Sequence, residues 1–219
     1  MKRKTLGLIH TSATLVPVFA ALCKAKLPGV DVFNIADDSL IKDVIRRGEL
    51  TPLTAQRVAG HVASAEAAGA DYILVTCSSI GRAIEAAAAK AGVPVLRVDQ
   101  PMADLAVQTG KRVGVVATLP TTLEPTADLI SRRAQKAGKQ IEITSRLCEG
   151  AFEALMSGDA ATHDAKVAAA LKELSKQVDV IVLAQASMAR VVDTLAAEDK
   201  RVPILASPGL AVDYLATVL

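Results

Sequence analysis

Aromatic residues are scarce in this sequence, and their scarcity excludes one class of function. The 219 residues include no Trp, two Tyr and three Phe, so there is little surface on which nucleic-acid bases could stack. Lys and Arg number 25 against 23 Asp and Glu, and the formal charge of +2 provides no basic field for a phosphate backbone. We therefore expect no nucleic-acid partner.

Cysteines and the motifs of common cofactor sites are also few. The sequence has three cysteines, Cys23, Cys77 and Cys148, and no CxxC spacing. This odd number and this spacing fit neither a disulfide framework nor a zinc site. The sequence contains no GxG, no GK[ST], no GxSxG and no HExxH, the patterns typical of dinucleotide, P-loop, esterase and metalloprotease sites. We expect no metal and no cofactor, so any chemistry must rest on side chains alone.

Long apolar runs are missing as well. No stretch of 18 or more apolar residues appears, which predicts no membrane-spanning segment. The basic start and the apolar residues after it could imitate a signal peptide, but His10, Thr11, Ser12 and Thr14 interrupt that stretch. Together with unpaired cysteines this indicates a cytoplasmic protein without a membrane partner.

What the sequence does contain is an alternation of two kinds of segment. Short β-branched runs predict strands at 5–9, 30–35, 72–76, 94–98, 113–117, 140–145, 180–184 and 202–205. Ala-rich amphipathic stretches between them predict helices at 52–68, 80–91, 126–137 and 161–177. Strands that are apolar nearly throughout, each followed by a helix, predict an α/β fold with parallel sheets covered on both faces.

The two halves of the chain resemble each other at an offset of about 108 residues. Asp71 corresponds to Asp179, Tyr72–Val75 to Val180–Leu183, and Arg82 to Arg190. We predict two pseudo-symmetric lobes with the active site in the cleft between them. The first lobe would comprise residues 1–99 with a C-terminal helix at about 208–219, and the second residues 100–207. The alternative is one long doubly wound sheet whose halves are similar by chance.

Cys77 is the most informative residue in this pattern, and the offset pairs it with Gln185. Each directly follows a predicted buried strand, at the edge where parallel sheets bind ligands. A cysteine at a helix N-terminus is stabilised as a thiolate by the helix dipole, and Ser78 and Ser79 could hold a carboxylate beside it. The alternative is that Cys77 is a small buried core residue, the role expected of Cys23 and Cys148.

Residues 71–77 and their counterpart 180–189 resemble the aspartate/glutamate racemase superfamily, and are closest in motif to the hydantoin racemase branch. Residues 113–118 are similar to the strand that opens the second lobe in that family. The resemblance covers essentially the whole chain. It implies a cofactor-independent enzyme in which one cysteine removes the proton α to a carboxylate and a second returns it on the opposite face.

Cys77 matches the first of these cysteines, and the second is replaced. Gln185 occupies its position, and Ser187 is the nearest hydroxyl. Glutamine cannot act as an acid or a base near neutral pH, so a symmetric two-base racemase is not expected.

The resemblance also implies a substrate cradle at the strand ends, built from hydroxyls and backbone amides suited to one carboxylate of a small molecule. Its residues would be His10, Thr11, Ser12, Asp37, Ser78, Ser79, Thr118, Thr121, Thr122 and Ser207. Ordinary capping of the next helix is the alternative role for the Ser and Thr residues and for Asp37. For His10 the alternative is a hydrogen bond at the strand end.

Three functions fit these residues. The first is an isomerase of the racemase or epimerase type, acting at the carbon next to a carboxylate of a small amino or hydroxy acid. Cys77 would be its acid/base, and Gln185 or Ser187 would orient the substrate or position a water. The second is a one-cysteine lyase, such as a decarboxylase. The third is a non-catalytic protein that binds small acids. The expected partners are a small carboxylate substrate and a second copy of the chain, because dimers are the commonest oligomers.

Overall fold

Two separate four-stranded parallel sheets, each flanked by helices, form this α/β protein. The structure is a computed structural model, and it describes residues 3–219. In chain order the strands are β1 (Thr5–His10), β2 (Asp31–Ala36), β3 (Tyr72–Val75), β4 (Val95–Arg97), β5 (Arg112–Ala117), β6 (Glu142–Leu147), β7 (Val180–Leu183) and β8 (Ile204–Ala206). The helices are α1 (Leu15–Lys26), α2 (Ser39–Arg47), α3 (Pro52–Ala67), α4 (Gly81–Ala88), α5 (Gln100–Thr109), α6 (Pro120–Lys136), α7 (Ala151–Met156), α8 (Ala160–Leu174), α9 (Ala189–Thr194) and α10 (Ser207–Val218).

The strand orders of the two sheets are the same. The first sheet runs β2-β1-β3-β4 and the second β6-β5-β7-β8, and every neighbouring pair is parallel. The predicted α/β class with two parallel sheets is therefore confirmed, and the alternative of a single long sheet is wrong.

Contacts divide the chain into two units. The first unit contains the residues up to Gln100 together with Pro208–Leu219, and the second contains Pro101–Ser207. Helix α5 lies in the stretch 100–111, where the sequence pattern predicted neither a helix nor a strand.

The sheet of the first unit is covered by helices on both faces, because alternate residues of its strands face opposite ways. Ile73 and Val75 of β3 pack with residues of α2, α3 and α4. Leu74, between them, belongs to a different cluster that contains Phe19 of α1 and Leu215 of α10. All three β3 side chains are fully buried, which explains why the strand reads as an uninterrupted apolar run.

In the second unit, helices also pack against a face of the sheet. Val116 of β5 and Ile181 and Leu183 of β7 pack with Leu171 of α8 and Val191 of α9. Each of these five side chains is fully buried. The apolar runs of β5 and β7 therefore form the core of their own sheet.

The repeated aspartates tie neighbouring strands together in both units. Asp71, just before β3, accepts a hydrogen bond from the backbone N–H of Thr5 at 2.8 Å. Asp179, just before β7, accepts bonds from the backbone N–H groups of Lys111 and Arg112 at 3.0 and 2.9 Å. The Arg112 side chain, followed by these amides, lowers the pKa of Asp179 to about 2. The offset seen in the sequence thus corresponds to the same structural role at both positions.

Helix α6 begins at Pro120 rather than at residue 126 as predicted. Proline suits the first position of a helix, since its missing N–H would be unpaired there in any case. The helix then continues through Pro125, whose missing N–H leaves the backbone carbonyl of Thr121 without its usual helical partner. Because prolines usually interrupt helices, these two explain why the sequence pattern did not predict the first turns of this helix.

We predict opposite effects from adding a methyl group at two glycines. A Cβ at Gly114 of β5 would lie 2.5 Å from Leu174 Cδ2, so Gly114→Ala should lower the free energy of unfolding by about 1–3 kcal/mol through overpacking. A Cβ at Gly60 of α3 meets nothing within 4 Å, and Gly60→Ala should raise it by roughly 0.5–1 kcal/mol. Urea titrations of both variants test this, and a Gly114→Ala protein as stable as the wild type would contradict it.

In the described part of the chain, none of the helices is both long enough and apolar enough to cross a membrane.

Candidate active site

Cys77 lies at the carboxyl end of β3, where the strand turns into a helix. Its backbone is extended (φ −140°, ψ 119°), and the residues Ser78–Ile80 form one short 3-10 turn before α4 begins at Gly81. Cys77 is 8% exposed, and Ser78 and Ser79 are buried beside it. The structure thus keeps the three predicted site residues of this segment together at the carboxyl edge of the sheet, the edge at which open α/β sheets generally bind ligands.

Burial decides the protonation state of Cys77. Removal from water raises the pKa of the Cys77 thiol, and the negative charge of Asp99 adds to this effect. Hydrogen bonds from the Thr11 hydroxyl and from the backbone N–H groups of Ile80 and Ser79 act in the opposite direction without reversing it. The thiolate expected from the sequence is therefore not the resting form, because desolvation outweighs the amides at this turn. The thiol holds its proton at neutral pH.

Cys23 and Cys148 are also buried and unpaired. Burial raises the pKa of Cys23, and it raises the pKa of Cys148 to about 11. Cys23 packs with Leu6 and Phe19 in the first unit, and Cys148 packs with Val116 and Ala151 in the second. These contacts suit the structural roles predicted for both residues.

His10 and Ser12, two predicted substrate contacts, are bonded to protein groups. His10 is fully buried at the end of β1, with Nδ1 2.9 Å from the Thr76 hydroxyl and Nε2 2.9 Å from Asn34 Oδ1. Burial lowers the pKa of His10 despite the bond to Asn34, so the ring is neutral at pH 7. Ser12 is half-buried, and its hydroxyl bonds that of Thr14 at 2.8 Å. His10 thus has the strand-end hydrogen bonds considered as its alternative role.

Asp37 is bonded on both carboxylate oxygens by its own unit. Oδ1 accepts from the backbone N–H and the hydroxyl of Ser39, at 3.1 and 2.5 Å. Oδ2 accepts from Arg57 Nη2 at 2.7 Å and lies 2.8 Å from His61 Nε2. Burial opposes ionisation, but the bonds from Ser39 and His61 and the charge of Arg57 lower the pKa of Asp37 to about 2. Asp37 thus ties the start of α2 to α3.

Gln185 occupies in the second sheet the place that Cys77 has in the first. It directly follows β7 with an extended backbone (φ −128°, ψ 137°) and leads into the short 3-10 turn Ala186–Met188. Its Oε1 accepts from the backbone N–H of Thr118 at 2.6 Å and from the Thr118 hydroxyl at 3.0 Å. Thr118 follows β5 as Thr11 follows β1, and Thr11 bonds Cys77. The repeat therefore extends to the contacts of the two strand-end residues.

The other predicted residues of the second unit also follow its strands. Thr121 and Thr122 lie in the first turn of α6, after β5, and Ser207 directly follows β8. Thr122 and Ser207 are buried, and the hydroxyl of Thr121 is buried without a partner among residues 3–219. Ser187 is exposed in the turn after Gln185. Because parallel strands end at the same edge of a sheet, these hydroxyls share that edge with Gln185.

The sequence analysis missed a buried ion pair near Cys77. Arg97, at the end of β4, is 2% exposed and bonds both carboxylate oxygens of fully buried Asp99, at 2.7 and 2.8 Å. Its third nitrogen bonds Glu85 of α4 at 2.5 Å. A Cβ at Gly81 would collide with the Arg97 guanidinium, so this network packs directly against the start of α4. The available signal was two opposite charges two residues apart at the end of the strand predicted over 94–98, since alternate residues of an extended chain face the same way.

In the described residues, no three His, Cys, Asp or Glu side chains are grouped so that they could hold a metal ion.

The fold and the strand-end residues together define a protein with two α/β units, each built on a parallel sheet. A cysteine follows the third strand of one sheet, and a glutamine follows the equivalent strand of the other. The chain belongs to the Asp/Glu/hydantoin racemase family, which it matches over residues 6–215. The resemblance stated from the sequence is therefore confirmed.

Solved structures with this fold include several racemases. A putative Asp/Glu racemase from Yersinia pestis aligns with a TM-score of 0.74 and 21% identity, over 98% of each chain. Allantoin racemase from Klebsiella pneumoniae aligns with a TM-score of 0.72 and 18% identity, over 98% of this chain and 87% of the other. Glutamate racemase from Francisella tularensis, solved with D-glutamate, aligns with a TM-score of 0.70 and 18% identity, over 100% and 82%. No curated protein sequence matches the chain significantly.

Proposed function

We propose that the protein is a cofactor-independent isomerase of the racemase or epimerase type. It would act at the carbon next to a carboxylate of a small amino or hydroxy acid. Membership of the racemase family and the racemase fold support the isomerase class. The observation that carries the proposal is the position of Cys77 directly after β3, hydrogen-bonded by Thr11 and by two backbone amides.

In this proposal the Cys77 sulfur carries the proton that moves. The Thr11, Ser79 and Ile80 donors lower the cost of the thiolate that forms when the thiol gives up its proton. Once that proton has passed to water, the thiolate can take a proton from the carbon next to the substrate carboxylate. The C–H bond breaks, and its electron pair stays on the substrate as an enediolate. Gln185 has no proton to exchange near neutral pH. We therefore propose that Cys77 transfers the proton on one face of the substrate carbon, and that a water positioned by Gln185 or Ser187 serves the other face.

A one-cysteine decarboxylase is the second candidate, and the protonated resting state of Cys77 favours it. A malonic acid that loses carbon dioxide keeps the electron pair of the broken bond as an enediolate. The S–H bond of Cys77 then breaks, its proton forms the new C–H bond, and the thiolate takes another proton from water. This sequence needs an acid on one face only.

Proton exchange in heavy water tests the isomerase against the decarboxylase. Wild-type protein is incubated in D₂O with single enantiomers of small amino and hydroxy acids and with malonic acids. NMR then records deuterium at the reacting carbon, chiral chromatography records configuration, and released carbon dioxide is measured. For an isomerase we expect deuterium uptake by an amino or hydroxy acid without carbon dioxide, and a slow loss of configuration, because water on the second face is a weaker proton donor and acceptor than the Cys77 sulfur. Deuterium uptake with complete retention of configuration would contradict the isomerase.

The other outcomes of this experiment have definite meanings. Carbon dioxide release with one deuterium in a product of one configuration would replace the isomerase by the decarboxylase. Binding of these acids without exchange or carbon dioxide release would contradict both activities, and the third function, a non-catalytic binding protein, would stand.

A further inference from the structure

The orientation of the Gln185 amide is determined by its partner. A backbone N–H can only donate, so the Gln185 atom that lies 2.6 Å from the Thr118 nitrogen must be the carbonyl oxygen. The Thr118 hydroxyl donates to the same oxygen at 3.0 Å. Reversing the amide would bring its N–H groups against the Thr118 N–H, and the bond from that backbone group would be lost. Thr118 thus holds the acceptor end of Gln185.

The donor end of Gln185 has no such partner. Among residues 3–219, none accepts a hydrogen bond from Gln185 Nε2, and the side chain is half-buried. The buried hydroxyl of Thr121, near the end of the adjacent strand β5, also lacks a partner in that range. Buried polar groups without partners are costly. The two N–H donors of Gln185 are thus available to a ligand at one edge of the second sheet, and the Thr121 hydroxyl is a buried, unpartnered group after the adjacent strand of that sheet.

We propose that Thr118 positions Gln185 as a specificity-determining residue, whose amide N–H groups take a carboxylate or carbonyl oxygen of the substrate and reject an ammonium group. An ammonium has three donors and no acceptor, so it can only meet the amide donor to donor. A carboxylate oxygen can accept from Gln185, and the Thr121 hydroxyl can donate to a neighbouring oxygen. This inference rests on the proposed function, and it narrows the small acids proposed there to those that place no ammonium group against Gln185.

Calorimetric titration with malonate and glycine tests the proposal. Glycine is the matched probe, because an ammonium replaces one of the two carboxylates on the same carbon. We expect the wild-type protein to bind malonate at least about tenfold more tightly than glycine. Gln185→Glu puts an acceptor where the donor was, and should weaken malonate at least about tenfold without weakening glycine. Gln185→Met, with neither donor nor acceptor, should remove the preference without reversing it.

Variants of Thr118 test the positioning role. Thr118→Val keeps the backbone N–H and loses the hydroxyl. The ratio of malonate to glycine affinity should therefore fall by about threefold, which corresponds to the lower end of the net contribution of a neutral hydrogen bond. Thr118→Ser restores the hydroxyl and should restore the ratio. A residue with a merely structural role would change melting temperature and leave this ratio unchanged. Circular dichroism melts of every variant show whether it is folded.

Several results would overturn the inference: equal binding of the two probes by the wild type, no binding of either, or an unchanged ratio in folded Gln185→Glu protein. Cys77→Ser separates this inference from the proposed function, because it removes the proton carrier and leaves Gln185 in place. If the wild-type protein prefers malonate but shows neither proton exchange nor carbon dioxide release, the proposed function is contradicted and the inference on Gln185 is not. If the wild-type protein exchanges protons but does not prefer malonate, the inference is contradicted and the proposed function is not.

Discussion

Cys77→Ser should lower the rate of α-proton exchange in heavy water by at least about 100-fold, the lower end of what a general acid/base contributes. A serine hydroxyl is a far weaker acid than a thiol, so the group that holds the moving proton is lost. Serine is close to cysteine in size, and it can keep the hydrogen bonds from Thr11, Ser79 and Ile80. The loss should therefore appear in kcat rather than in the folding of the first unit.

Cys23→Ala and Cys148→Ala are the matched controls for this experiment. Both residues are buried, unpaired cysteines in apolar clusters, so their removal should lower stability and leave the exchange rate per folded molecule near that of the wild type. Exchange that survives in Cys77→Ser at the wild-type rate would show that Cys77 is not the base. His10 or Asp37 would then have to carry the proton, even though both already bond protein partners.

Arg97→Met should lower the free energy of unfolding by about 3–5 kcal/mol, the usual cost of leaving one charge of a buried pair alone. Asp99 is fully buried, and both of its oxygens accept from Arg97. Methionine fills part of the same space without supplying a donor. The carboxylate must then be protonated or exposed, and either change costs free energy.

The double variant Arg97→Met with Asp99→Asn separates the charge from the packing. It removes the unpaired charge, and we expect it to regain at least half of the lost stability. Urea titrations at pH 7 give both values. Two results would show that the buried charge is not what makes Arg97 necessary. One is a single variant whose free energy of unfolding falls by less than about 1 kcal/mol, and the other is a double variant no more stable than the single variant.

Strand positions and the duplicated architecture could be predicted from the sequence because both depend on local and repeated patterns. β3 and β7 are buried on both sides, so they read as apolar runs, and Asp71 and Asp179 mark their starts at the same offset. The residues at strand ends follow directly from the strands. This is why the sequence alone pairs Cys77 with Gln185.

The electrostatics of the site could not be predicted in the same way. Whether Cys77 is a thiol or a thiolate depends first on its burial and then on the hydrogen bond from Thr11, and neither can be obtained from residue order. Asp37 is near a predicted helix start, but its bonds to Arg57 and His61 join residues about 20 positions apart. The orientation of Gln185 likewise depends on Thr118, 67 residues earlier.

The first unit is discontinuous along the chain, and this affects the order in which the protein can fold during synthesis. Ala211, Val212 and Leu215 of α10 are fully buried against Leu6, Leu8 and Phe19. The ribosome makes these late residues only after all of Pro101–Ser207 has been made. The second unit can therefore close its core while it emerges, although it comes second in the chain. Until α10 arrives, one face of the sheet of the first unit is covered by α1 alone, and the apolar surface that α10 will bury is open to chaperones and to aggregation.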